Sequence, residues 1–128
     1  MLFFNHGIRC RYCARRPVEF AGIHERIRDE EAEVLSISPD NVDDLKDYAC
    51  EKNSPFLMLS DSSGAVSQRF TIKSELRRAP MPTILIADRF GVLRFQEMAE
   101  EADHLLDGNE ILSWLSLIES ECPECSHL

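Results

Sequence analysis

No stretch of this 128-residue chain holds the roughly 20 consecutive apolar residues of a membrane-spanning helix, so no membrane partner is expected. Basic residues are scarce as well: 14 Lys and Arg stand against 23 Asp and Glu, a net charge of −9, and an acidic surface repels nucleic acid and anionic lipid alike. The opening run Met1-Leu2-Phe3-Phe4 is too short for a secretory signal and has no basic flank, which gives the expectation of a cytoplasmic protein. There is no internal repeat and no low-complexity tract. A single domain remains, long enough to bury most of the apolar surface of its unfolded form.

What the chain does have is cysteine: five, at positions 10, 13, 50, 122 and 125. An odd number cannot all pair internally, and in a reducing compartment such sulfur is expected to be catalytic or metal-binding rather than a static framework. Cys10-Arg11-Tyr12-Cys13 leaves a short apolar run and enters a helix-like stretch. A C-x-x-C pair at such a turn can close a small disulfide ring, and its first sulfur sits where unpaired helix N–H groups favour negative charge. Arg9, Arg11, Arg15 and Arg16 surround the pair in sequence, and cationic neighbours stabilise a thiolate.

The periodicities predict a strand over Met1–Asn5 and one helix from about Cys10 to Asp29, with Phe20, Ile23 and Ile27 as its buried stripe and a kink at Pro17. A second strand over Ala32–Ser38 leads to a helix capped by Asp40 or Asn41, with Val42, Leu45 and Ala49 facing inward. A brief strand at Phe56–Leu59, a turn at Asp61–Gly64 and a short helix to about Phe70 precede a loop. Thr83–Ala87 and Val92–Gln96 read as a hairpin across Asp88–Gly91, and a final helix opened by Asn109 carries Ile111, Trp114, Leu115 and Ile118. This order predicts an α/β fold with a mixed sheet covered on both faces. The domain spans residues 1–121, and residues 122–128 form a cysteine-containing tail.

The order of elements, with C-x-x-C after the first strand and Met81-Pro82-Thr83 opening a late one, resembles the thioredoxin fold, a three-layer α/β/α sandwich around a central mixed sheet. It resembles most the peroxiredoxin-like alkyl hydroperoxide reductase/thiol-specific antioxidant, or redoxin, family. The stretches that carry the likeness are Leu2 to Cys13, Glu33 to Asp40, Pro55 to Gly64 and Pro82 to Val92. The family's peroxide loop has the pattern Pro-x-x-x-Thr/Ser-x-x-Cys with a later Arg. With Cys13 at the peroxidatic position, His6 replaces the Pro, Cys10 the Thr, and Pro82 the Arg. A second thiol and a cis-proline facing it are what thioredoxin-like disulfide oxidoreductases carry. The resemblance therefore implies a peroxiredoxin-type body with a thioredoxin-type site: Cys10, Cys13 and Pro82 catalytic, Met81 offering its backbone to a bound partner, and His6, Arg11 and Arg15 in support. His6 stands in for the buried strand-one carboxylate that thioredoxins keep. Relatives have strands before the one at Leu2, and a sheet edge left by their absence would be covered by a homodimer.

The favoured activity is thiol–disulfide exchange, cycling Cys10 and Cys13 with no cofactor, Cys10 attacking and Cys13 resolving. In a thiol peroxidase, the alternative, the roles reverse and Cys13 becomes the sulfenic acid. Substrates would be a protein disulfide or a peroxide, the reductant of thioredoxin or glutathione type, and the role antioxidant. Cys122-Pro123-Glu124-Cys125, followed by His127, is a second dithiol, a zinc-ligand pair or an idle tail; a zinc-binding module using both cysteine pairs is the non-catalytic alternative, although the two pairs lie much further apart than the roughly 15–20 residues of a zinc ribbon. Cys50 reads as structural, His24 as a helix-surface residue, and Arg77 and Arg78 as solvated loop charges, either of which could alternatively substitute for the missing peroxide-holding Arg.

Overall fold

A computed structural model describes residues 1–75 and 80–121. Five strands form one sheet in the order β3-β2-β1-β4-β5: β1 Leu2–Phe4, β2 Leu35–Ser38, β3 Leu57–Ser60, β4 Thr83–Ala87 and β5 Leu93–Met98. The β1–β2 and β2–β3 pairs are parallel, while β1–β4 and β4–β5 are antiparallel. The mixed sheet of the sequence reading is thus present, with β1 at its centre and therefore buried on both faces.

Alternation along the strands divides the apolar side chains. Phe3, Ile84 and Ile86 point to one face, where helix α1 (Arg11–Gly22), helix α2 (His24–Asp29) and helix α5 (Gly108–Ser120) bring Phe20, Ile27, Ile111 and Leu115 into a single core. Phe3 meets Phe20 edge-on, with ring centroids 5.4 Å apart. Burying each such side chain contributes about 1.5–3 kcal/mol. The other face holds the smaller cluster of Phe4, Ile37 and Leu85, on which the short helix α4 (Ser67–Phe70) stacks Phe70 against Phe4. Helix α3 (Val42–Glu51) follows β2, with Asn41 as its cap and Leu45 buried.

The expected stripe of Phe20, Ile23 and Ile27 faces the core, but on two helices rather than one. The break falls at Ile23, which ends α1 and starts α2, and α1 runs through Pro17 without ending there. His24 is a further correction. It is buried at the start of α2, with Nε2 2.7 Å from Glu33 Oε1 and its ring tilted against Phe56, so it ties α2 to the strand that follows instead of facing solvent. Burial alone would raise the Glu33 carboxyl, but the Val34 N–H and His24 outweigh it and hold the group below its ordinary value. The last helix is opened by Asp107, not Asn109: Asp107 accepts from the Glu110 N–H at 2.9 Å, and the Glu110 carboxylate accepts from the Asp107 N–H at 3.2 Å. Cys50 is exposed on α3, so it has no packing role. The hairpin forms as read, with Gly91 at φ 81° and the Asp88 carboxylate accepting from the Phe90 and Val92 N–H groups.

Candidate active site

Strand β1 delivers the chain into a loop fixed by Asn5 and Asp40. Buried Asn5 donates to Ser36 Oγ and to the Ile37 carbonyl, both at 3.2 Å, and accepts from the Gly7 N–H at 2.8 Å. Asp40, beyond the end of β2, accepts from the Ile8 N–H at 2.8 Å and from the Ser38 hydroxyl. Gly7 sits at φ 120°, where a Cβ would come within 3.1 Å of the Asp40 carboxylate, so only glycine fits both the backbone angle and the close approach. Neither Asn5 nor Asp40 was singled out for the site from sequence. A polar residue ending an apolar strand just before a glycine was the available signal for Asn5, whereas the reach of Asp40 across to the loop depends on tertiary placement.

The loop sets Cys10 as the N-cap of α1, in extended conformation, and Cys13 three positions further on in the first turn. Cys10 Sγ accepts from the Cys13 N–H at 3.5 Å, the bond that a Ser or Asp oxygen makes in an ordinary cap. Cys13 Sγ accepts from the His6 N–H at 3.3 Å, and His6 Nδ1 lies 3.7 Å from Cys10 Sγ. The three side-chain atoms all fall within 4.8 Å of one another. Cys13 is 1% exposed, whereas Cys10 and His6 are half-buried, so a reagent from solvent meets Cys10 first. An N–H donated to each sulfur, at the positive end of a 12-residue helix, stabilises negative charge there.

Behind the pair, Cys13, Tyr48, Leu45 and Met58 line a pocket of only about 10 Å³, no more than a single water needs. The Tyr48 hydroxyl donates to the Ala14 carbonyl at 3.2 Å and fastens α3 to α1 beside the thiols. Burial raises the Tyr48 phenol above its ordinary value and the Glu51 charge adds to the shift, so the hydroxyl stays protonated and remains a donor.

The arginines expected to polarise the thiols are placed differently. Arg9 and Arg11 are exposed, and Arg15 lies over the Tyr12 ring at 5.8 Å. Arg16 is buried and committed elsewhere: it donates to the Leu106 carbonyl, pairs with Glu19 at 3.6 Å and covers the Phe20 ring. Pro82 also needs correction. The described residues contain no cis peptide bond, so Met81–Pro82 is trans. Both backbone groups of Met81 are used within the chain, the N–H donating to the Ile72 carbonyl at 2.8 Å and the carbonyl accepting from Thr71 and Thr83 hydroxyls. That edge is therefore not offered to a partner as a cis-proline loop would offer it. Cys122, Cys125, His127, Arg77 and Arg78 lie outside the described residues.

The AhpC/TSA family model matches residues 1–96. Among solved structures, the peroxidoxin BcpB of Mycobacterium tuberculosis is similar at 21% identity over 91% of this chain and 77% of that one, with a TM-score of 0.79. AhpC of Mycobacterium bovis is similar at 20% identity, 95% and 70% coverage and a TM-score of 0.79. The bacterioferritin comigratory protein of Xanthomonas campestris, described for alkyl peroxide reduction, is similar at 13% identity, 92% and 78% coverage and a TM-score of 0.77. No curated protein matches the chain. With most of its length matched by the family model and its two thiols set at the mouth of the first helix, the chain belongs to the AhpC/TSA family, as a thiol-dependent oxidoreductase of thioredoxin fold.

Proposed function

We propose that the protein reduces hydroperoxides with the Cys10–Cys13 pair, Cys10 attacking and Cys13 resolving. The observation that carries this reading is the contrast in access: Cys10 is half-exposed beside His6, while Cys13 is sealed behind it within 4.8 Å. In the first step the Cys10 thiolate attacks one peroxide oxygen, the O–O bond breaks, and the alcohol or water leaves with a proton, giving Cys10 sulfenic acid. The Cys13 thiol then attacks that sulfur, water leaves, and a Cys10–Cys13 disulfide forms. His6 Nδ1, 3.7 Å from Cys10 Sγ, is placed to take the thiol proton and return it to the leaving oxygen.

This assignment retains the dithiol cycle read from the sequence and exchanges the roles that a peroxidatic Cys13 would have had. A small oxidant fits better than a docked protein disulfide, because the Met81 backbone is already paired within the chain. The disulfide would be returned to dithiol by a thioredoxin-type reductant, in a reducing compartment such as the cytoplasm, which gives the protein its antioxidant role.

The test is the rate at which reduced protein consumes hydrogen peroxide under single-turnover conditions, with the disulfide mapped by mass spectrometry. Oxidation far faster than that of a free thiol, ending in a Cys10–Cys13 bridge, is expected. A free-thiol rate overturns the peroxidase reading, and a bridge from either residue to Cys122 or Cys125 overturns the assignment of Cys13 as the resolving thiol.

A further inference from the structure

We infer that His6, Cys10 and Cys13 form a binding site for a thiophilic divalent cation of the zinc type when the thiols are reduced. A tetrahedral zinc ion, with Zn–S near about 2.3 Å and Zn–N near about 2.0 Å, holds its ligand atoms about 3.5–3.8 Å apart. In the protein His6 Nδ1 and Cys10 Sγ are already 3.7 Å apart, and a ring nitrogen of His6, Cys10 Sγ and Cys13 Sγ all lie within 4.8 Å of one another. Three vertices of a tetrahedron therefore need at most about an ångström of contraction.

Charge and surroundings agree with the distances. Two thiolates and a neutral imidazole balance a divalent cation, so the half-buried site gains no net charge on loading. The N–H groups of His6 and Cys13 donate to the two sulfurs, the kind of outer support that orients thiolate ligands. The loop that presents His6 is fixed by Asn5 and Asp40, so the three donors are preorganised rather than gathered by the metal. Because Cys10 and His6 are half-exposed, the fourth position opens toward solvent, unlike the closed four-ligand site considered from the sequence, which needed the distant Cys122 and Cys125.

The inference concerns the reduced thiols alone and does not depend on peroxide turnover. Zinc and a Cys10–Cys13 disulfide exclude each other, since each uses the same sulfur electrons, so loaded protein would be shielded from oxidation.

The experiment is a competition titration of reduced, full-length Cys50→Ser/Cys122→Ser/Cys125→Ser protein with zinc against a chromophoric chelator, repeated with cobalt(II) as a spectroscopic probe. The expected result is one zinc per chain and, with cobalt, thiolate charge-transfer and tetrahedral d–d bands. His6→Asn should weaken binding by more than about a hundredfold, beyond the roughly 10–100-fold that loss of a merely supporting partner costs, and Cys10→Ser should abolish the thiolate band. Cys13 is in the core, so Cys13→Ser is interpreted only if its circular dichroism matches the parent; His6→Asn and Cys10→Ser carry the test regardless. Absence of stoichiometric zinc, or affinity unchanged by both His6→Asn and Cys10→Ser, overturns the site. Either result leaves the peroxide rate, measured separately without metal, to decide the enzymatic reading.

Discussion

Arg16→Met separates stability from thiol chemistry. In sequence Arg16 is one of four arginines crowding the C-x-x-C, yet in the fold its guanidinium donates to the Leu106 carbonyl, pairs with Glu19 and covers Phe20 at 5.2 Å. Methionine keeps most of the apolar stem and removes all three contacts. Leaving the Leu106 carbonyl unpaired costs about 1–3 kcal/mol. The cation–π contact adds about 1–2 kcal/mol. The Glu19 pair adds less than about 1 kcal/mol, because Glu19 is 37% exposed and solvent screens it. Against these stands relief from burying Arg16 Nε without a hydrogen-bond partner. A net loss of about 2–4 kcal/mol is expected, which at roughly 4 °C per kcal/mol lowers Tm by about 8–16 °C. The assay is calorimetry of the reduced protein together with the peroxide oxidation rate at a temperature where both proteins are folded. That rate should stay within about twofold of the parent, since Arg16 acts on the α1 packing and not on the sulfurs. A Tm unchanged within a degree or two would refute the packing account. A rate loss of tenfold or more in folded protein would show that Arg16 polarises the thiols after all.

Three further outcomes follow from the same contacts. His6→Asn should slow peroxide oxidation by about 10²-fold at neutral pH, because it removes the ring nitrogen 3.7 Å from Cys10 Sγ that is placed to take the thiol proton; an unchanged rate would refute that role. Gly7→Ala should destabilise by about 1–2 kcal/mol in urea titration, because the φ of 120° and the Asp40 carboxylate 3.1 Å from the new Cβ both oppose it, and an unchanged midpoint would refute the close fit. Asp61 is buried; burial alone would raise its carboxyl, but the Ser67 and Val66 N–H groups and the Ser67 hydroxyl hold it below its ordinary value of 3.8. A depressed carboxyl contributes stability above that ordinary value and loses it as pH falls through the folded value. The stability gap between the parent and Asp61→Asn, about 1–3 kcal/mol near neutrality, should therefore close as denaturant midpoints are followed from about pH 5 to about pH 2.

The sequence made the strands and their mixed arrangement legible because each apolar run is short, bounded by turn residues and alternates where one face is solvated. The C-x-x-C was equally legible, since its meaning depends on spacing of three and a helix start, both local. What stayed hidden was tertiary. The side chain of Arg16 runs to a carbonyl ninety positions away, so a cluster of four like charges in sequence is not a cluster around the sulfurs. His24 looked polar enough for the surface, yet Glu33 across the turn lets it stay buried. Pro82 fitted the pattern of a cis-proline, yet the Met81–Pro82 bond is trans and Thr71, Ile72 and Thr83 pair the Met81 backbone, contacts that no motif records. Two helices in place of one differ in kind, because Phe20 and Ile27 keep helical spacing across a break at Ile23 and Gly22, just before it, was a local signal outweighed by that spacing.

The most direct measurement is sulfenate trapping in Cys13→Ser. Treated with one equivalent of hydrogen peroxide and a carbon nucleophile that captures sulfenic acid, this variant should carry the adduct on Cys10, located by peptide mass spectrometry, and should form it as fast as the parent protein is oxidised. An adduct on Cys13 in Cys10→Ser, formed at the parent rate, would contradict the assignment and make the sealed thiol the one that meets the oxidant.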